Sequence, residues 1–431
     1  MVHIVACQRW YLTKRVQVPP GPPLSCRIRS MPKFCPHCSS GGRRVTHSAS
    51  HAHYYLEIIT RPFSLLFRAV MGEKRDALYK LVWDFALDAL LLFRIARLRQ
   101  DFDAVSFFNR SRIFLDEAHR RGIEIAAIEV CGRVTDEFRF VFHGKRYYYE
   151  SIPLLARSLD PEIDDKYAVK KILQKHKIPV PEGRRFTSAR KIFRYAKNIG
   201  YPLVVKPVRG SLSRHATYPV LSDGELTSAI SLAKHYAPDI LVERYVHGEF
   251  YRATVIGGKD VFVCNKKPAH VIGDGASTIR TLIESKNEHP FRGDPGNRSY
   301  TLHKIAIDTT VIQRLADQGL TLDSVPEIGT VVHLNKLVTL VSGADVMGCT
   351  SVTHPANRLL FTTIARIFGS PLIGIDFICQ DITIPYTEQE TAVLELNSKP
   401  YIDMHAYPSE GEADPAALRV WDMVEEMTSR S

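Results

Sequence analysis

Two short apolar runs near the C-terminus, each carrying an acid, constrain this chain more than any other feature. Leu372-Ile-Gly-Ile-Asp376-Phe-Ile and Val393-Leu-Glu395-Leu-Asn397 have the length and composition of buried strands. A carboxylate in such a strand is costly to desolvate unless something compensates its charge. Alternation puts Glu395 and Asn397 on one face of the sheet. The segment between the runs is short enough for antiparallel neighbours, which brings Asp376 to the same patch. Three oxygen-bearing side chains converging in this way suit a hard, octahedral cation such as magnesium, with water and phosphate oxygens completing its shell. The alternative is a strand pair whose acids face solvent.

Two further constellations lie upstream. Val204-Val-Lys206-Pro leads into Arg209-Gly210-Ser211-Leu-Ser213-Arg214-His215-Ala-Thr217. A lysine ending a buried strand can place its ammonium on a phosphate, and the N–H groups of a small-residue loop can close over the others. The competing reading is a surface hairpin with a snorkelling lysine. Leu241-Val-Glu243-Arg244-Tyr245-Val246-His-Gly-Glu249 then leaves a strand for an irregular hinge with two acids. Exposed backbone there can pair with an adenine edge, and a carboxylate six residues on can accept ribose hydroxyls.

At 431 residues the chain is long enough for two or three units with substantial cores, and 45% hydrophobic with 24% charged residues is an ordinary globular composition. The formal charge of +11 is unevenly spread. Residues 1–50 hold eight basic side chains and no acid, so the body is nearly neutral and the basic balance is no nucleic-acid footprint. That leader contains Pro19-Pro-Gly-Pro-Pro23 and no hydrophobic period, and reads as disordered over 1–55, or as an over-long start ahead of Met31 or Met71. Cys35-Pro-His-Cys38 has the gap of a zinc half-site, which Cys26, His47, His51 or His53 could complete. Half of the eight cysteines precede residue 39, which does not make a disulfide framework and favours a reducing, cytoplasmic setting. No charge-free apolar run reaches the roughly 18 residues of a membrane span.

From Asp76 to Arg99 the apolar positions Leu78, Leu81, Val82, Phe85, Ala89, Leu92, Phe93 and Ala96 recur at three and four, predicting within a helical region 56–100 one long helix that packs on the body through that face. The alternative is a helix lying on a membrane surface. A helix over 110–121, an apolar run Ile123–Val130 and a hairpin around His143-Gly144 predict a small α/β unit over 101–158. A helix from Asp165 to His176 and short strands near Lys206 and Glu243, flanking a helix near Glu225 to His235, follow.

Taken in order, a lysine with a small-residue loop, an acid-rich hinge and the D…ExN pair resemble the ATP-grasp superfamily of carboxylate-amine ligases. Within it, Pro268-Ala-His-Val-Ile-Gly-Asp-Gly, Thr353-His-Pro-Ala-Asn357 and Asn397-Ser-Lys-Pro-Tyr-Ile-Asp-Met-His405 are similar to phrases of the ATP-grasp domain of the cyanophycin synthetase family. The resemblance implies an α+β ATP-grasp fold over 159–431, with a nucleotide lid at about 160–245 and a metal and substrate subdomain at about 246–431, behind a small pre-ATP-grasp domain. It also implies ATP with two magnesium ions, or manganese in their place. Carried over by position, Lys166, Lys206 and the loop residues Gly210, Ser211, Ser213, Arg214 and Thr217 would hold phosphates. Glu243, Arg244, Tyr245 and Val246 would bind adenine, Glu249 ribose, and Asp376, Glu395 and Asn397 the metal. Arg252, Lys267 and Lys336 would supply catalytic cations, and Gly343, Asp403 and His405 would line the substrate site. Ser213, His215, Asn335, Thr339, Tyr401 and Asp403 depart from the family's phrases.

The implied reaction is amide formation through an acyl phosphate, with release of ADP and phosphate. Implied substrates are small amino acids or peptides, in a protein free to form homo-oligomers. The Mur-ligase-like half that follows in cyanophycin synthetases is not in this sequence, so iterative polymer synthesis is not expected. The rivals are a glutathione-synthetase-like or protein-modifying ligase, and a nucleotide-binding protein without turnover.

Overall fold

A computed structural model describes residues 74–102, 107–154, 163, 165–209 and 215–429. The expectations for 1–55, including the zinc half-site, lie outside these residues, as do Gly210, Ser211, Ser213 and Arg214. No described helix is long and apolar enough to cross a membrane.

The chain builds antiparallel sheets with helices laid on them, an α+β arrangement. The first sheet has β1 (Ala96–Arg99), β2 (Ile125–Val130), β3 (Arg133–Phe142) and β4 (Lys145–Glu150) in sequence order. Its β3–β4 turn runs through His143 and Gly144, both at positive φ, 48° and 73°. Phe138, Phe140 and Tyr149 point from it to the helix Asn109–Arg120. The C-terminal helix Ala416–Ser429 closes the same core with Val420, Trp421 and Val424. Trp421 is fully buried and its indole Nε1 donates to the Phe114 carbonyl at 3.0 Å.

A second sheet, ordered β5-β8-β6-β7, comprises β5 (Gly183–Phe186), β6 (Leu203–Pro207), β7 (Thr217–Val220) and β8 (Ile240–Arg244). The helices Ala189–Ile199 and Asp223–Lys234 cover one face through Ile192, Leu226 and Ile230. The central sheet, ordered β15-β10-β9-β16-β17, is formed by β9 (Glu249–Ile256), β10 (Asp260–Lys267), β15 (Asp345–Gly348), β16 (Leu372–Cys379) and β17 (Thr391–Asn397). Tyr251, Ala253, Val255, Ile375 and Phe377 form its apolar face against Leu360, Phe361 and Ile364 of the helix Pro355–Ile367. At one end of the other face Ile256, Phe262 and Leu372 join the Trp421 core, and at the other end lie charges. Between β10 and β15 the chain forms a small lobe from β11 (His270–Ile272), β12 (Arg292–Gly293), β13 (Leu302–His303) and β14 (Val331–His333), with its own core of Val271, Ile283, Val311 and Val332.

One expectation is corrected. The helix predicted over 76–99 spans Lys74–Leu92, and Ala96–Arg99 is a strand, the chain turning at Arg94 with φ 58°. Its apolar stripe does not pack: Leu81, Val82, Phe85, Leu92 and Phe93 are 56–78% exposed. The packed face is set by polar anchors instead. Asp84 accepts from the Tyr148 hydroxyl at 2.6 Å and Asp88 from Arg146 at 2.9 Å, seating Leu87 and Trp83 on the first sheet.

Trp421 links the first sheet to the central one, so its loss removes a large side chain and one hydrogen bond from a shared core. Trp421→Ala is expected to cost about 3–5 kcal/mol, read as a lower denaturant midpoint for the whole chain.

Candidate functional site

Cross-strand register assembles the site. Arg252 of β9 lies opposite Asp376 of β16, and Asp376 lies opposite Glu395 of β17, so the three share one face of the central sheet. A bulge follows Asp376, where Phe377 pairs with Val393. The Arg252 Nε–Asp376 Oδ1 distance is 2.5 Å, and both residues are buried. Arg252 retains an unpartnered buried Nη1, and Asn397 an unpartnered buried Nδ2. Both crowd Gly374: a Cβ there would stand 3.1 Å from Arg252 Nη1, 3.5 Å from Asn397 Cβ and 2.8 Å from Pro400 Cβ. The residue is glycine because the guanidinium and the 398–400 turn meet over it.

The second sheet brings cations to the same place. Lys206 on β6 sets its ammonium 2.7 Å from Glu243 Oε2, while Lys170 reaches the other oxygen and also donates to the Pro181 carbonyl at 2.5 Å. Lys166, one turn earlier on the helix Lys166–Lys175, lies 3.4 Å from Glu395. That helix therefore touches both sheets through Lys166 and Lys170. Asp165 caps it, accepting from Tyr167 and Ala168 N–H groups at 3.2 and 3.0 Å, and also holds Arg209 at 3.2 Å beside the small-residue loop.

Charge sets the protonation states. Burial pushes the Glu243 carboxyl up, but Lys206 and Lys170 outweigh it and hold the group below its ordinary value. Burial acts on Glu395 in the same sense, and Lys166 and Lys206 bring it down to about 2. Asp376 goes the other way: burial raises it and the Glu395 charge adds to the rise, against Arg252. Two adjacent carboxylates, one of them raised chiefly by burial, with an amide beside them, offer oxygens that would suit a divalent cation. Among the described residues no group of three or more His, Cys, Asp or Glu side chains is placed to hold a metal ion by itself.

The structure distributes the remaining sequence candidates unevenly. Glu249 opens β9 and accepts from Asn265 Nδ2 at 3.3 Å. Arg244 is exposed beside Glu182 at 3.7 Å, Val246 is buried, and the Tyr245 amide donates to the Pro202 carbonyl at 3.0 Å. Thr217 begins β7 opposite Val205. Lys267 alternates away from Arg252, whereas Lys266 shares its face, feels both Asp376 and Arg252, and has its pKa lowered, chiefly by burial. Lys336 is exposed, 3.9 Å from Asp317 in the small lobe, away from the Arg252 cluster. Gly343 adopts φ 83° and lends its carbonyl to Arg292 at 3.2 Å. His405 is buried, its Nε2 2.8 Å from the Thr254 hydroxyl and its Nδ1 3.6 Å from Asp414. Asp403 is buried and bonded to Thr301 at 2.7 Å. Lys170 and Lys266 are the residues that sequence reasoning missed. The four-residue spacing from Lys166 and the strand alternation from Cys264 were the available signals.

No family model matches the chain. The bifunctional glutathione synthetase of Pasteurella multocida superposes with a TM-score of 0.57 at 26% identity, over 74% of this chain and 43% of that one. The cyanophycin synthetase of Trichormus variabilis is 37% identical over 261 residues, 60% of this chain and 29% of that protein. The chain has the ATP-grasp fold. A glutathione biosynthesis bifunctional protein of Mannheimia succiniciproducens is also similar to this ATP-grasp chain, 30% identical over 297 residues, 67% of it and 38% of the relative. The chain thus spans less than half the length of each of these proteins.

Glu243→Gln removes the counter-charge of two buried ammoniums, at a cost of about 3–5 kcal/mol near neutral pH. Because the folded-state pKa of Glu243 is depressed, its stabilisation is present above the ordinary glutamate value of 4.5 and lost as pH falls through the folded value. Urea denaturation across pH 3–7 should therefore show the gap between wild type and variant closing on the acid side.

Proposed function

We propose that this protein is an ATP- and magnesium-dependent ligase that joins a carboxylate to an amine through an acyl phosphate, releasing ADP and phosphate. The supporting observation is the convergence of Lys166, Lys206 and Arg252 with Glu395, Glu243 and Asp376 where the second sheet meets the central one. Such cations, buried in a low-dielectric cleft and each already beside an acid, are prepared to exchange that partner for a phosphate oxygen.

In this reading the backbone from Arg244 to Val246 meets the adenine edge and Glu249 the ribose. Lys166 and Lys206 hold phosphates, with Thr217 at the start of β7. Asp376, Glu395 and Asn397 would hold magnesium, which when bound neutralises charge on the phosphates as it moves. Arg252 keeps its Nη1 donor for the reacting carboxylate, and Lys266 stands on the same face where Lys267 does not. A carboxylate oriented there attacks the γ-phosphorus in line; the amine then adds to the acyl phosphate and phosphate leaves. No side-chain nucleophile is required. The relatives named for cyanophycin and glutathione formation support an amino acid or peptide as substrate.

The test is product analysis with Mg-ATP and amino acids, singly and in pairs. ADP and phosphate are expected, with turnover in Glu395→Gln lower by about a hundredfold through loss of a metal carboxylate. AMP with pyrophosphate, or ATP binding without amino-acid-dependent ADP release, would overturn the reading.

A further inference from the structure

The helix Lys74–Leu92 is apolar on two sides. Leu87, with Leu90 and Leu91 beside it, packs on Ala96 and Ile128 of the first sheet. On the opposite side Leu81, Val82, Phe85 and Leu92 are 56–78% exposed, and Phe93, just past the helix, is 72% exposed. Leu78, one turn before Leu81 and Val82, extends the same row toward the helix start. One apolar side is enough to seat a helix on a body; a second apolar side calls for a second cover. Large side chains in a continuous row differ from the single apolar residues scattered over any protein surface.

The charges that remain free around this row are of one sign. Lys74 and Arg75 open the helix, and Arg94, exposed, follows it at the turn where φ is 58°. Arg133, also exposed, stands opposite Val130, which packs under the helix with Leu87, so it belongs to the face of the sheet that carries the helix. The acids of the helix are Asp76, Asp84 and Asp88, and the last two are taken up on the sheet by Tyr148 and Arg146. Upstream, residues 1–50 add eight bases and no acid.

This charge pattern selects the cover. A second copy of the chain would bring cation to cation in either direction: an antiparallel helix pair sets Lys74 and Arg75 against Arg94, and a parallel pair sets each against itself. An anionic lipid surface answers both features, since it takes up the apolar row and attracts the cations at its two ends. We propose that the outward side of the helix Lys74–Leu92 is a contact for an anionic phospholipid membrane, with Leu81, Phe85, Leu92 and Phe93 entering the boundary between headgroups and acyl chains and Arg94 and Arg133 meeting headgroup phosphates. No described helix crosses a bilayer, so the attachment is peripheral. It is independent of the ligase reading, and it brings the ATP-grasp body to a membrane surface through the first sheet.

The test is sedimentation of the full chain with vesicles of phosphatidylcholine alone and of phosphatidylcholine mixed with phosphatidylserine, at low and at high salt. Wild type is expected to bind the phosphatidylserine vesicles more tightly by about tenfold or more, with the difference shrinking at high salt. Phe85→Glu and Phe93→Glu, both at exposed positions, should each weaken that binding by about tenfold with the melting temperature unchanged. Arg94→Glu should reduce the preference for phosphatidylserine and leave binding to phosphatidylcholine as it was. The basic leader is intact in all three variants, so binding through it alone would survive both phenylalanine substitutions, and that result overturns the proposal. Failure of wild type to sediment with either vesicle overturns it as well. If that failure is joined by a lower melting temperature or a smaller native mass in Phe85→Glu, the row is covered by another part of this chain or by a second copy. Either phenylalanine variant serves if the other folds poorly.

Discussion

Glu243 carries a charge at 1% exposure, and it does so because Lys206 of its own sheet and Lys170 of a separate helix both reach it. Desolvation of three ionised groups is tolerable only when each is compensated by the others, and the geometry must then be held closely. The same helix carries Lys166 to Glu395 on the edge of the central sheet. One short helix therefore fixes where the second sheet stands relative to the body. How the two sheets meet follows from a charge-balance requirement as much as from apolar packing, which is separate on the two sheets.

The central sheet resolves a conflict between its faces in the same manner. Tyr251, Ala253 and Val255 of β9 need the Pro355–Ile367 helix, while Arg252 and Thr254, alternating with them, need polar partners on the opposite side. Arg252 finds Asp376, and Thr254 finds His405. His405 is held in turn beside Asp414, which also accepts from Thr350 at 2.7 Å. The segment after β17 is thereby tied down over Gly374. Its position is a consequence of the strand alternation, and it brings Asp403 to the start of the helix Asn109–Arg120.

Much of this was legible in the sequence, because the strongest signals were short-range. Asp376, Glu395 and Asn397 fall where a two-residue period and an antiparallel turn put them, and the observed register joins the strands as that period requires. Lys206, ending its strand, was visible for the same reason. What escaped reading depends on long-range geometry. The stripe from Leu81 to Phe93 has the spacing of a packed face, but Asp84 and Asp88 decide which side of that helix meets the body, and their partners Tyr148 and Arg146 lie about sixty residues on. Helical period alone cannot say which of two faces is buried when the polar one has specific bonds to make. The place of Lys336 was equally hidden: it stands beside Asp317 in the small lobe, whose core is independent of the central sheet.

The small lobe shows a further constraint on how the central sheet is entered. Asp345 starts β15 at 1% exposure and is met by Arg292, by Lys286 at 2.5 Å and by His270 at 3.2 Å, all three from the lobe. Arg292 gives its Nη1 donors to the His303 and Gly343 carbonyls at 2.6 and 3.2 Å, so the acid is compensated and two backbone carbonyls beside it are satisfied. A side chain at position 343 would meet Ile305 at 2.5 Å, in addition to needing a left-handed backbone, which makes glycine the residue that allows this turn. The edge strand of the central sheet is thus pinned by a buried charge cluster belonging to the small lobe, and the lobe cannot shift without exposing Asp345 or stranding its cations.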